Sequence, residues 1–80
     1  MSIGEVCNRE VVVTAPDTAI AVAARLMREH HVGDLVVVED PAGAPVPVGI
    51  VTDRDLVVEV LAPEVAPESV TVRDVMSVSC

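Results

Sequence analysis

The stretch "GIVTDRDL", Gly49 to Leu56, holds the side chains in this 80-residue chain best placed to do chemistry. An apolar β-branched run ends at Thr52 and a helical pattern starts at once. Such a junction presents unpaired backbone N–H groups and the positive end of a helix dipole, which together attract anions. Thr52 brings a hydroxyl to the mouth. Arg54 adds a fixed positive charge that reaches phosphate. Asp55 only accepts hydrogen bonds, which suits a ribose diol rather than a phosphate. The three could hold a nucleotide by its sugar and phosphate. A plainer reading stands beside this one: Asp53 and Asp55 stabilise the first turn of a helix whatever they bind, and Thr52 merely ends a strand.

Other chemistry is thinly supplied. His30 and His31 are adjacent at the end of a helical pattern, where the dipole favours polar or cationic groups. No nucleophile and orienting acid are spaced around either to form a triad. A metal site from His30, His31 and Asp34 is weak, because neighbouring helix residues point in different directions. Cys7 and Cys80 lack metal-ligand spacing and read as free thiols. The residues give no constellation for an enzyme and require no cofactor.

Charge narrows the partners. The net charge is −8, with five Arg, no Lys and no aromatic ring. Such a chain repels phosphate backbones and has nothing to stack on bases, so nucleic acid is excluded as a partner. Anionic membranes are disfavoured too, and the longest apolar runs, such as Leu35 to Val38, are far too short to span a bilayer. No basic region with an apolar run opens the chain, so a cytoplasmic location is expected. Yet 51% of the residues are hydrophobic. One small core cannot hide that much, and the surplus predicts a self-associating face.

The elements that must position Thr52, Arg54 and Asp55 follow from periodicity. Val11 to Thr14 reads as a short strand ended by Pro16. Asp17 is the expected N-cap of a helix through "TAIAVAARLMREHH". Ile20, Ala23, Ala24, Met27 and His31 fall on one face of it, and Gly33 is its expected stop. "DLVVVED" and "VPVGIVT" read as strands joined by the turn "PAGAP", a hairpin in which Pro47 belongs near a strand start or on an edge. "DRDLVVEVLA" is a second helix, with Asp53 as its cap and Leu56, Val57, Val60 and Leu61 as its apolar side. Met27 and Met76 are expected to fill core. The order strand, helix, strand, strand, helix predicts an α+β fold, with helices packed on one face of a three-stranded sheet.

The segment "VVVTAPDTAIAVAARLMREHHVGDLVVVED", followed by "VGIVTDRDL", resembles a CBS domain, the small ligand-sensing module named after cystathionine β-synthase. The Thr-x-Pro opening, the "HHVGDLVVVED" start of a strand and the Gly-h-h-Thr-x-x-Asp motif occur in the family's order. The resemblance implies the family's β-α-β-β-α unit and a regulatory role in sensing adenosine-containing ligands: ATP, ADP, AMP or S-adenosylmethionine. By motif position it implies that Thr52 and Asp55 contact phosphate and ribose, with Arg54 a further phosphate contact. Thr14 matches a position near the first strand's end. Val32, Gly33 and Asp34 match the segment lining the base pocket, and Ile50 matches an apolar wall beside the base. Asp34 stands where a small residue is more usual, and Val36 replaces a common Pro.

CBS repeats occur in tandem, and "TVRDVMSVSC" at the C-terminus reads like "SIGEVCNRE" near the N-terminus, shifted by 69 positions. Residues 1–62 therefore read as one repeat with a lead-in over 1–10, residues 63–70 as a linker, and residues 71–80 as the start of a second repeat in a longer protein. The expected partner is that second repeat or a second copy of the chain. A module that dimerises without binding any ligand is the other reading of the same residues.

Overall fold

The computed structural model describes residues 11–78; the lead-in over 1–10 and both cysteines lie outside them. The elements are β1 (Val13–Thr14), α1 (Ile20–His30), β2 (Asp34–Glu39), β3 (Val46–Thr52), α2 (Asp53–Leu56) and α3 (Val72–Val75). A wider helical turn over Val57–Leu61 continues α2.

The sheet has the order β1-β2-β3. β1 runs parallel to β2, with Thr14 beside Val37. β2 and β3 form the expected antiparallel hairpin, placing Asp34 opposite Thr52, Leu35 opposite Val51 and Val36 opposite Ile50. Directly paired residues share a face. Leu35, Val37 and Val51 therefore point together into the core and are fully buried. Asp34, Thr52, Val36 and Ile50 take the other face. Pro47 sits second in β3, an outer strand of the sheet, beside an irregularity at Val37/Val38; it has no N–H to donate, so it is tolerated there. The first strand is shorter than expected: only Val13 and Thr14 pair.

The helix ends differ from expectation. α1 begins at Ile20 behind Ala19, not behind Asp17, and no side chain caps it. Carbonyls from the tail do that work: Val70 accepts from Ile20 N–H at 2.8 Å and Pro67 from Ala21 N–H at 3.1 Å. They satisfy donors that a side-chain cap would otherwise need to reach. α1 ends at His31, left-handed at φ 54°, and Val32 N–H returns to the Met27 carbonyl at 3.1 Å. Gly33 is therefore not the stop. α2 is capped by Thr52, not Asp53, which is its first residue.

Along the apolar side expected for α2, only Leu56 and Val60 are buried, whereas Val57 is 52% and Leu61 65% exposed. The turn has opened to bonds spanning five residues, Ala62 N–H to the Val57 carbonyl and Val65 N–H to the Val60 carbonyl, so the four side chains no longer share one face. On α1, Ile20, Ala23 and Met27 are buried as expected, but Ala24 and His31 are exposed.

The tail is part of the core. Val72 is fully buried and Val75 nearly so, and burying each contributes about 1.5–3 kcal/mol relative to leaving it in water. Met76 packs beside them, and Ser77 pairs with Ile50 along the free edge of β3.

Candidate functional site

The hairpin brings the start of β2 and the end of β3 together. Asp34 lies opposite Thr52 in the ladder, and the next step is a bond from Asp53 N–H to the Gly33 carbonyl at 2.9 Å. The approach at Gly33 is close: a Cβ at that position would come within 3.2 Å of the Asp53 carboxylate, the end of an exposed side chain. Gly33, Asp34, Thr52 and Asp55 thus meet at one end of the hairpin.

Thr52 and Asp55 are locked in a reciprocal cap. Thr52 N–H donates to Asp55 Oδ2 at 2.9 Å, and Asp55 N–H donates to Thr52 Oγ1 at 3.1 Å. This satisfies two donors of the first turn, so the plain reading of these residues is real. It does not exhaust them. Thr52 Oγ1 is used as an acceptor, which leaves its proton to donate outward. Asp55 Oδ1 makes no bond among the described residues. Arg54 is exposed and has no ion-pair partner among them. Within these four residues one donor, one acceptor and one cation are therefore left unused among the described residues.

Ile50 lies on the same sheet face as Thr52, two residues upstream, and is 37% exposed. Val32 is half-buried just before Gly33 and packs against the core. Thr14 stands apart. It lies on β1, beyond β2 from the junction and about 10 Å further along the sheet, and its register partner Val37 points into the core. Its side chain is buried at 7% exposure, so it does not share the face of Thr52 and Ile50. Of the eight residues singled out in the sequence, seven gather about one end or one face of the hairpin, and Thr14 does not.

A concave feature away from this junction was not legible in the sequence. An apolar cleft of about 100 Å³ opens between α1, α2 and the 62–69 segment, lined by Ile20, Ala24, Leu56, Val60, Leu61 and Pro67. It lies on the helix side of the sheet. Its only signal in the sequence is the surplus of aliphatic residues on α2. Among the described residues no group of three or more His, Cys, Asp or Glu is placed to hold a metal ion, and no helix is long and apolar enough to cross a membrane.

Comparison with known proteins agrees with this architecture. A family model described as the CBS domain matches residues 3–62. An uncharacterized protein of Methanopyrus kandleri is 41% identical over 78 residues, covering 96% of this chain and 38% of its own length. An uncharacterized 17.7 kDa protein of Acidianus ambivalens is 38% identical over 55 residues, 69% of this chain and 32% of its own. The chain thus spans about a third of the length of these curated relatives. Among solved structures, a CBS-domain protein of Agrobacterium tumefaciens superposes with a TM-score of 0.76 at 34% identity, over 89% of this chain and 51% of its own. A signal-transduction protein with CBS domains from Burkholderia ambifaria gives 0.76 at 27%, over 89% and 49%. A hexameric CBS-CP12 protein of bloom-forming cyanobacteria gives 0.77 at 29%, over 91% and 39%.

Proposed function

This chain belongs to the CBS-domain family, whose members are regulatory or interaction modules, and on that premise we propose that it senses an adenosine-containing ligand at the Thr52–Asp55 junction. The observation that carries the reading is the unspent half of the cap: the Thr52 hydroxyl proton and Asp55 Oδ1, next to an exposed Arg54 with no ion pair among the described residues. Asp55 Oδ1 accepts from a ribose hydroxyl, the Thr52 hydroxyl donates to a phosphate oxygen, and Arg54 closes on the phosphate charge. Ile50 and Val32 offer apolar contact to a base. The cap holds the motif rigid before the ligand arrives, which lowers the ordering cost of binding. ATP, ADP, AMP and S-adenosylmethionine all carry the ribose that Asp55 would recognise. Binding then biases how the module packs against a second repeat or a second copy, and that packing is the regulatory signal.

Titration calorimetry with ATP, AMP and S-adenosylmethionine tests this, since a chain without Trp or Tyr offers no intrinsic fluorescence. Asp55→Asn is the informative variant. Its amide oxygen still accepts from Thr52 N–H, while an NH₂ replaces the oxygen offered to ribose. Saturable heat lost in Asp55→Asn with an unchanged melting temperature supports the sensor. Absence of heat with all three ligands, from folded protein, sinks it.

One observation favours an interaction module instead. Val57 and Leu61 are exposed beside the apolar cleft over α1 and α2, a surface suited to a partner whether or not a ligand binds.

A further inference from the structure

The tail occupies a built seat. Residues 70–77 leave the linker and run back across the start of α1 to the edge of β3. Val72 N–H donates to the Thr18 carbonyl at 2.8 Å and Arg73 N–H to the Pro16 carbonyl at 2.9 Å. Ser77 and Ile50 exchange both backbone bonds, at 2.9 and 3.0 Å. Val72 and Val75 plug the core. Gly49 is moulded to the occupant: a Cβ there would lie 2.7 Å from the Ser77 carbonyl oxygen and 3.0 Å from Met76 Sδ. All these contacts join the tail to residues 16–50, across a linker over 62–69 that is mostly exposed.

The chain carries a second segment of the same design. Thr71 caps α3 with Asp74 three residues on, and Ser2 with Glu5 spells the same reciprocal cap. Ile3 and Val6 repeat the spacing of Val72 and Val75, and Cys7 falls on Met76. Most of what the seat reads is spelled twice in the sequence: Ser or Thr with an acid three residues on, two aliphatic residues three apart, and a sulfur side chain after them. Arg73, which meets Glu39 and Asp17, is the exception, with Gly4 in its place. We propose that the seat is exchangeable and accepts the Ser2–Cys7 segment of a second copy of this chain.

Reach decides between a second copy and the chain's own N-terminus. With Cys7 on Met76, Asn8 would stand at Ser77, next to Ile50. Val13 lies three strand spacings away, through Ile50 and Val36, or about 14 Å. The five residues from Asn8 to Val13 cover at most about 17 Å when fully extended. The chain's own segment would have to cross the sheet nearly taut, whereas a second copy meets no such constraint. Reciprocal insertion in two copies closes a symmetric dimer by exchange of like elements.

The test uses the full chain under reducing conditions, which keep Cys7 and Cys80 from linking. Val72→Asp with Val75→Asp expels the tail. Sedimentation equilibrium is expected to show a folded species of twice the monomer mass, whose melting temperature rises with protein concentration. Adding Ile3→Asp and Val6→Asp is expected to abolish both the dimer and the fold. A folded monomer overturns the proposal, and so does a dimer indifferent to Ile3 and Val6. If the tail variant does not fold, a peptide of residues 1–10 titrated into the unsubstituted chain decides. Saturable amide shifts at Thr18, Ile50 and Ser77, absent with the Ile3→Asp, Val6→Asp peptide, uphold the exchange; no shifts at millimolar peptide overturn it.

Discussion

Two turns of this molecule are spelled almost alike, Thr52-Asp53-Arg54-Asp55 and Thr71-Val72-Arg73-Asp74, and the fold uses them for opposite ends. In both, the aspartate's Oδ2 accepts from the threonine N–H, at 2.9 and 3.0 Å. From there they diverge. The Thr52 hydroxyl accepts from Asp55 N–H and keeps its proton for the outside. The Thr71 hydroxyl donates to Asp74 Oδ2 at 3.1 Å, so its proton is used within the turn. Arg54 has no partner among the described residues, while Arg73 meets Glu39 at 3.1 Å and Asp17 at 3.8 Å. The second position is an exposed Asp53 in one turn and a buried Val72 in the other. One turn has spent its groups on the fold and the other has kept them. A shared four-residue spelling therefore says that a turn is capped, not what the turn is for.

The widest gap between the turns should appear at their second positions. Val72→Ala is expected to cost about 2–3 kcal/mol of unfolding free energy, read by urea denaturation, because it opens a cavity in the core. Asp53→Ala should cost no more than about 0.3–1 kcal/mol, the worth of an acid in a first turn. Equal costs would dissolve the distinction.

The neighbouring glycines come next. Gly49→Ala places a methyl against the Ser77 backbone oxygen and should destabilise by about 1–3 kcal/mol. At Gly33 the added methyl meets only the end of the exposed Asp53 side chain, which rotates away, so the change should stay within about 0.5 kcal/mol.

The caps should behave alike in stability and differently in binding. Thr52→Ala and Thr71→Ala are each expected to lose about 1 kcal/mol. Only Thr52→Ala should also weaken nucleotide binding in calorimetry; loss of binding from Thr71→Ala would remove the assignment of the site to one turn.

The smallest stability effect belongs to the arginines. Arg73→Ala breaks exposed ion pairs and should cost about 0.2–1 kcal/mol, fading at high salt. Arg54→Ala should leave the melting temperature unchanged and weaken phosphate-bearing ligands about tenfold, the equivalent of about 1.4 kcal/mol.

The hairpin was legible because its signals are local. Two apolar, β-branched runs, "DLVVVED" and "VPVGIVT", with a Pro- and Gly-bearing turn between them, spell a hairpin; the structure then sets the register in which Leu35, Val37 and Val51 all face inward. The grouping of Asp34 with Thr52 follows from that register. That Thr14 stands apart from them was not legible, because a strand's position in a sheet, and the face each residue takes, depend on pairing with β2 and not on its own sequence.

What the sequence by itself determined is the set of short-range choices: two strands and their turn, one amphipathic helix, and a helical turn that starts directly after the strand ending at Thr52. Each rests on residues within a few positions of one another, where spacing and side-chain chemistry suffice. Only the tertiary structure decided where α1 begins. Its first donors are met by Val70 and Pro67 carbonyls from some fifty residues away, so no local pattern around Asp17 could have marked Ile20. Tertiary structure likewise decided that Val72 is core while Asp53 is surface, because burial is set by what packs against a turn, and the two turns differ most in their surroundings.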